Sequence, residues 1–141
     1  MSWVWAALLT ALCYGLYNVF IKLSAGRIHV IAGALILQAA AMLLGAGAII
    51  FLRFTKTPLP FSAKGIGFAV LAGVFVGLAE ILSFFVFSRG VPASAGIPVI
   101  VGGTVVAGAA LGFAFLGESL SPRDILAVAM IAAGIVLLGG K

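Results

Sequence analysis

Five long apolar segments make up most of the sequence, and the short stretches between them hold most of its charge. A helix needs about 20 mainly apolar residues to cross a bilayer, at about 1.5 Å rise per residue. The pattern therefore predicts an all-α integral membrane protein. We expect one domain over residues 1–141, with five transmembrane helices at roughly 3–22, 30–52, 63–87, 92–116 and 122–140.

Local signals refine this prediction. Ser121-Pro122-Arg123-Asp124 combines a capping serine, a proline at the first helical position and an acid three residues after the cap, so the fifth helix begins at Pro122. Pro98 lies early in the fourth segment and predicts a bend, either for packing alone or at a cavity. Two pairs of glycines at four-residue spacing indicate close helix packing: Gly73 with Gly77, and Gly108 with Gly112.

Composition agrees with a membrane protein and narrows the function. Hydrophobic residues make up 65% of the chain and charged residues 8%, whereas soluble domains are about half apolar and about a quarter charged. The net charge of +5 comes from dispersed basic residues, so we expect no nucleic-acid partner. The lone Cys13 and the lone His29 offer neither a metal site nor a nucleophile–base pair. We therefore expect no metal, no cofactor and no enzymatic activity.

Basic residues near the ends of membrane helices set orientation, and here they are balanced. The side that holds the N-terminus carries four, as does the opposite side: Arg53, Lys56, Lys64 and Arg123 against Lys22, Arg27, Arg89 and Lys141. This balance predicts insertion both ways round and pairing into an antiparallel ten-helix homodimer with inverted-repeat symmetry. The alternatives are one orientation chosen for other reasons, or a different partner chain.

Glu80 is the only acid well inside an apolar segment, and an ionisable group within the membrane indicates a functional site. It shares one face of the third helix with Gly73, Gly77, Phe84 and Phe87. Other polar residues are expected at a similar depth, which predicts a cavity. The candidate substrate-binding residues are Glu80, Asn18, Tyr14, Gln38, Tyr17 and Ser94. The alternatives are a structural ion pair between Glu80 and Lys22, or a permanently protonated acid.

The second half of the sequence carries a family signature. It has an early proline in the fourth segment, then Phe115-Leu116-Gly117-Glu118-Ser119-Leu120-Ser121, then an apolar helix containing Ala133-Gly134-Ile135-Val136-Leu137. This pattern, with the Trp-rich first helix ending in Lys22, resembles the EamA-type repeat of the drug/metabolite transporter superfamily. The resemblance covers essentially the whole chain as one five-helix repeat, and a single repeat is expected to dimerise.

The resemblance implies transport of a small solute across the cytoplasmic membrane of a bacterium or archaeon. Glu118 lies at the loop end of the fourth helix, so with Pro98 and Lys22 we assign it a structural or gating role. We expect a secondary transporter, an exporter or exchanger of a metabolite or drug-like solute, with proton coupling as an option. The alternative is an accessory membrane subunit that transports nothing alone. The expected partners are the lipid bilayer, a second copy of the chain and the solute.

Overall fold

The computed structural model describes residues 2–140, so Lys141, one of the basic residues counted above, lies outside the described residues. Five α-helices follow one another along the chain, and their boundaries differ from the predicted ones by at most two residues. They are α1 (Trp3–Ser24), α2 (Val30–Phe54), α3 (Ala63–Ser88), α4 (Ala93–Leu116) and α5 (Pro122–Gly139).

All five helices are long and apolar enough to cross a membrane. Even α5, with 18 residues, spans about 27 Å at 1.5 Å per residue, close to the thickness of a bilayer's hydrocarbon core. Large apolar side chains point outward, among them Leu44, 78% exposed, and Phe115, 80% exposed. A bilayer covers such surfaces, and the chain is an integral multi-pass membrane protein.

The helix ends are set by local chemistry. Ser62 caps α3 by accepting a hydrogen bond from the backbone N–H of Gly65, 3.0 Å away. The predicted cap of α5 forms, because the Ser121 hydroxyl accepts from the Asp124 N–H and the Asp124 carboxylate accepts from the Ser121 N–H. Gly117 ends α4 at a φ of +67°, in the left-handed region that glycine adopts without steric cost.

The described chain forms two compact units, residues 2–19 with 91–140 and residues 20–90. In the first unit α4 packs against α5, and a Cβ added at Gly102 would lie 3.1 Å from Ile135. In the second unit α2 packs against α3, where Gly33 meets the ring of Phe84. The four buried hydrophobic residues found in the described chain all lie in the second unit: Ile21, Ala34, Phe84 and Phe87.

Candidate functional site

The buried face of α3 carries the candidate site. Glu80 is 5% exposed, although it is an acid in a helix made almost wholly of apolar residues. Phe84 and Phe87 are also buried and follow at four and seven residues, the spacing that places side chains on one face of a helix. The predicted inward orientation of the Glu80 face therefore agrees with the burial of these side chains.

The neighbouring helix α2 brings an amide to the same face. The Gln38 side chain is half-buried, and its Nε2 lies 3.5 Å from the position that a Cβ on Gly77 would occupy. Gly77 precedes Glu80 by three residues, so the two lie about one turn apart on α3. The absence of a side chain at Gly77 leaves room for the amide. Gln38, a second predicted site residue, therefore packs against the stretch of α3 that carries Glu80.

Lys22 lies at the far end of this face. Its Nζ donates to the backbone carbonyl of Phe87 at 3.4 Å and lies 5.9 Å from the centre of that ring. The last carbonyls of a helix lack partners within the helix and carry partial negative charge, so a lysine there is stabilising. Phe87 lies seven residues beyond Glu80, about 10 Å along the axis at helical rise. The structural or gating role predicted for Lys22 stays a prediction.

The predicted residues of α1 before Phe20 belong to the other unit. Asn18 is 3% exposed, and its side-chain Nδ2 donates to the Tyr14 carbonyl at 2.8 Å. The rings of Tyr14 and Tyr17 meet edge-to-face with centroids 6.0 Å apart. Tyr14 is exposed and Tyr17 is half-buried. The prediction that these side chains and Glu80 line one cavity stays a prediction.

The predicted residues of α4 are not buried. Ser94 and Pro98 are both exposed, while Gly96 between them is buried. Pro98 lacks a backbone N–H, so the Ser94 carbonyl four residues earlier loses its usual helical donor. The role of Ser94 in substrate binding and that of Pro98 in gating both stay predictions.

The glycine pairs separate into contacting and open positions. A Cβ at Gly112 would lie 2.5 Å from the Glu118 carboxylate, and the Glu118 N–H donates to the Gly112 carbonyl. Glu118 thus folds back over the end of α4, and its predicted structural or gating role stays a prediction. A Cβ added at Gly73 or Gly108 meets nothing within 4 Å in the described chain. Their predicted packing role therefore stays a prediction, with no contact to support it within residues 2–140.

Ser83 is a buried polar residue of α3 that the sequence pattern did not single out. It is 8% exposed and lies three residues after Glu80 on α3. Its helical spacing already indicates the same face, because at 100° per residue Ser83 falls within 60° of Glu80 and precedes Phe87 by one turn. Serine is common in membrane helices, however, and often only bonds its own backbone, so its burial had to come from the structure.

Comparison with known proteins identifies the family of the chain. The model of the EamA-like transporter family matches residues 1–140. The chain belongs to this family. EamA proteins are part of the drug/metabolite transporter superfamily, and membership indicates a transporter of that type. No curated protein and no solved structure matches this chain.

Proposed function

We propose that the chain is a secondary transporter that exports or exchanges a small metabolite or drug-like solute, with Glu80 as its central binding residue. The observation that carries the proposal is the burial of this carboxyl group at 5% exposure within α3. EamA membership supports the transporter class, and the position of Glu80 supports the place of binding.

The physical basis is the cost of a charge within the membrane. An ionised acid at the centre of a membrane helix costs on the order of 2.5–3.5 kcal/mol on insertion scales. A proton removes this cost by neutralising the carboxylate, and a cationic solute offsets it by pairing with the charge. Because both compete for one group, Glu80 binds a cation when ionised and releases it on protonation. Proton-coupled exchange follows from that competition.

The neighbouring side chains suit this role. Gln38 adds an amide beside Gly77, one turn before Glu80, and can orient a polar substituent. Phe84 and Phe87 lie on the same face of α3 and make its surroundings apolar. Charge, hydrogen bonding and apolar surface then come from one stretch of α3 and its α2 neighbour, the combination found in small-molecule sites.

The proposed assembly is an antiparallel homodimer. The balanced basic residues favour insertion in both orientations, and two inverted copies supply ten helices around an in-plane two-fold axis. Such a pair can expose its sites to either side of the membrane in turn.

Transport in liposomes tests the proposal. Purified chain is reconstituted with a pH-sensitive dye inside, and a panel of small cationic and neutral solutes is added outside under a proton gradient. Wild-type protein should show proton flux that depends on a cationic solute, and Glu80→Gln should abolish it while the protein still inserts.

Glu118→Gln is the matched control for charge, because it removes the same charge at an exposed position after α4, where a structural or gating role would change the rate of transport and not its proton dependence. It should keep the proton dependence. Wild-type proton coupling in Glu80→Gln would contradict the assignment of Glu80. A wild-type chain that stays monomeric and moves no solute would instead favour the accessory-subunit alternative.

A further inference from the structure

Ser83 is a largely buried residue of α3 that carries a hydroxyl group. The residue is 8% exposed, and within residues 2–140 its hydroxyl makes no hydrogen bond. Three other hydroxyls of the described helices each make a hydrogen bond. They donate to a carbonyl of the preceding turn, at 2.7–2.9 Å: Thr10 to Ala6, Ser88 to Phe85 and Thr104 to Val101. The hydroxyl oxygen is not one of the fully buried atoms that lack a partner, so it keeps some accessible surface and can accept a hydrogen bond from a ligand.

The placement of Ser83 on α3 is informative. At 100° per residue, Gly77 and Phe84 lie about 60° and 40° to one side of Glu80, and Ser83 lies about 60° to the other. The first side is the one that contacts α2, through Gln38 at Gly77 and Gly33 at Phe84. The Glu80 carboxyl group therefore lies between an amide on one flank and an unused hydroxyl on the other.

The spacing fits one small charged group. Residues three apart on a helix have Cβ atoms about 5–6 Å from each other. A nitrogen held about 2.8–3.0 Å from a carboxylate oxygen and from a hydroxyl oxygen can lie between side chains at that separation. Such a nitrogen must carry N–H donors, because both oxygens accept.

We propose that Ser83 is a specificity-determining residue of the Glu80 site, and that the solute is a protonated amine that retains N–H donors. The proposal rests on the proposed function. The carboxylate pairs with the charge, and the hydroxyl accepts one N–H. The buried rings of Phe84 and Phe87 make the surroundings of this pair apolar. A quaternary ammonium ion satisfies the charge and the rings but offers the Ser83 oxygen no N–H.

A matched pair of probes tests this directly. Phenethylamine and its N,N,N-trimethyl analogue carry the same ring and the same charge, and differ in their N–H donors. Calorimetric titration of detergent-purified protein measures the Kd for each. Loss of one hydrogen bond predicts that Ser83→Ala weakens phenethylamine binding about threefold to tenfold. Binding of the trimethyl analogue should change less than twofold.

Two variants control for packing. Ser88→Ala removes an exposed hydroxyl that already bonds the Phe85 carbonyl, so both Kd values should stay at wild type. Ser83→Thr keeps the hydroxyl and should restore the preference for phenethylamine. Thermal unfolding of each variant confirms that the fold is retained.

The outcomes separate the two proposals. Equal losses for both probes in Ser83→Ala, or no loss for either, would overturn the role of Ser83 while the site at Glu80 stands. If wild-type protein prefers the trimethyl analogue, the amine assignment is wrong. If wild-type protein binds neither probe, or if Glu80→Gln binds both as wild type does, the cation site at Glu80 fails and the inference fails with it.

Discussion

The contact between Gly33 on α2 and Phe84 on α3 gives the sharpest test of the packing that holds the candidate site. A Cβ at Gly33 would lie 2.5, 2.8 and 2.9 Å from three ring carbons of Phe84. Ordinary carbon–carbon contacts are about 3.5–4.0 Å, so in Gly33→Ala the ring must move by about 1 Å. Phe84 is 3% exposed and cannot swing freely into open space.

The magnitude follows from two opposing effects. Overpacking a tight core site costs about 1–3 kcal/mol. Replacing glycine by alanine within a helix favours the folded state by about 0.8–1.0 kcal/mol. Gly33→Ala should therefore lower the free energy of unfolding by up to about 2 kcal/mol.

Gly45 in the same helix provides the control, because a Cβ added there meets nothing within 4 Å in the described chain. Gly45→Ala should keep only the helix-propensity gain, so the two variants should differ by about 1–3 kcal/mol. Reversible unfolding in mixed micelles with increasing SDS, followed by circular dichroism, measures both.

A second substitution, at Phe84, tests whether its ring causes the destabilisation by Gly33→Ala. Leucine in place of Phe84 removes the atoms that clash, so Gly33→Ala should be neutral or stabilising in a Phe84→Leu background. A double-mutant cycle should give a coupling of at least about 1 kcal/mol. The reasoning is refuted if Gly33→Ala is as stable as Gly45→Ala, or if the coupling is zero.

Two further predictions concern the end of the chain. Ser121→Ala removes the hydroxyl of the α5 capping box and should lower the free energy of unfolding by about 1 kcal/mol in the same SDS assay. Ser119→Ala, in the exposed loop, is the control and should have no measurable effect. An equal loss of stability in both variants would contradict the capping role. A compartment-sensitive reporter fused after Lys141 should give signal from both sides of the membrane if the chain inserts in both orientations, whereas signal from one side would exclude the antiparallel homodimer and favour a parallel assembly or a different partner chain.

Part of the candidate site was predictable because an isolated polar residue is conspicuous in an apolar helix. Glu80 and its inward face follow from the 3.6-residue period alone, since the glycines and phenylalanines that share the face lie at helical spacing. Helical spacing places Ser83 near the same face, but a serine is common in membrane helices and does not stand out as an acid does. Its burial depends on the neighbours that pack around it, and the sequence does not show them.

The glycine pairs also show what residue spacing along the sequence does not predict. The four-residue spacing is identical in the two pairs, yet Gly77 contacts Gln38 and Gly112 contacts Glu118, while Gly73 and Gly108 face open space within the described chain. Gly33 was not singled out, because no second glycine stands four residues from it, yet it makes the closest contact with a ring. Spacing identifies positions at which helices can approach, but it does not say which helix lies opposite.

The sequence by itself determined the environment of this protein and its helices. The apolar segments are long enough to cross a bilayer and are separated by charged stretches. Lipid offers the backbone no hydrogen-bond partners, so these segments form helices, which satisfy their own hydrogen bonds. Capping residues fixed where the helices end, as Ser121 and Gly117 show. Only the tertiary structure decided that Gln38 lies beside Gly77 and that Lys22 bonds the end of α3. Lipid is as apolar as the helices, so helix pairing depends on the fit of individual side chains, and a linear pattern does not contain that fit.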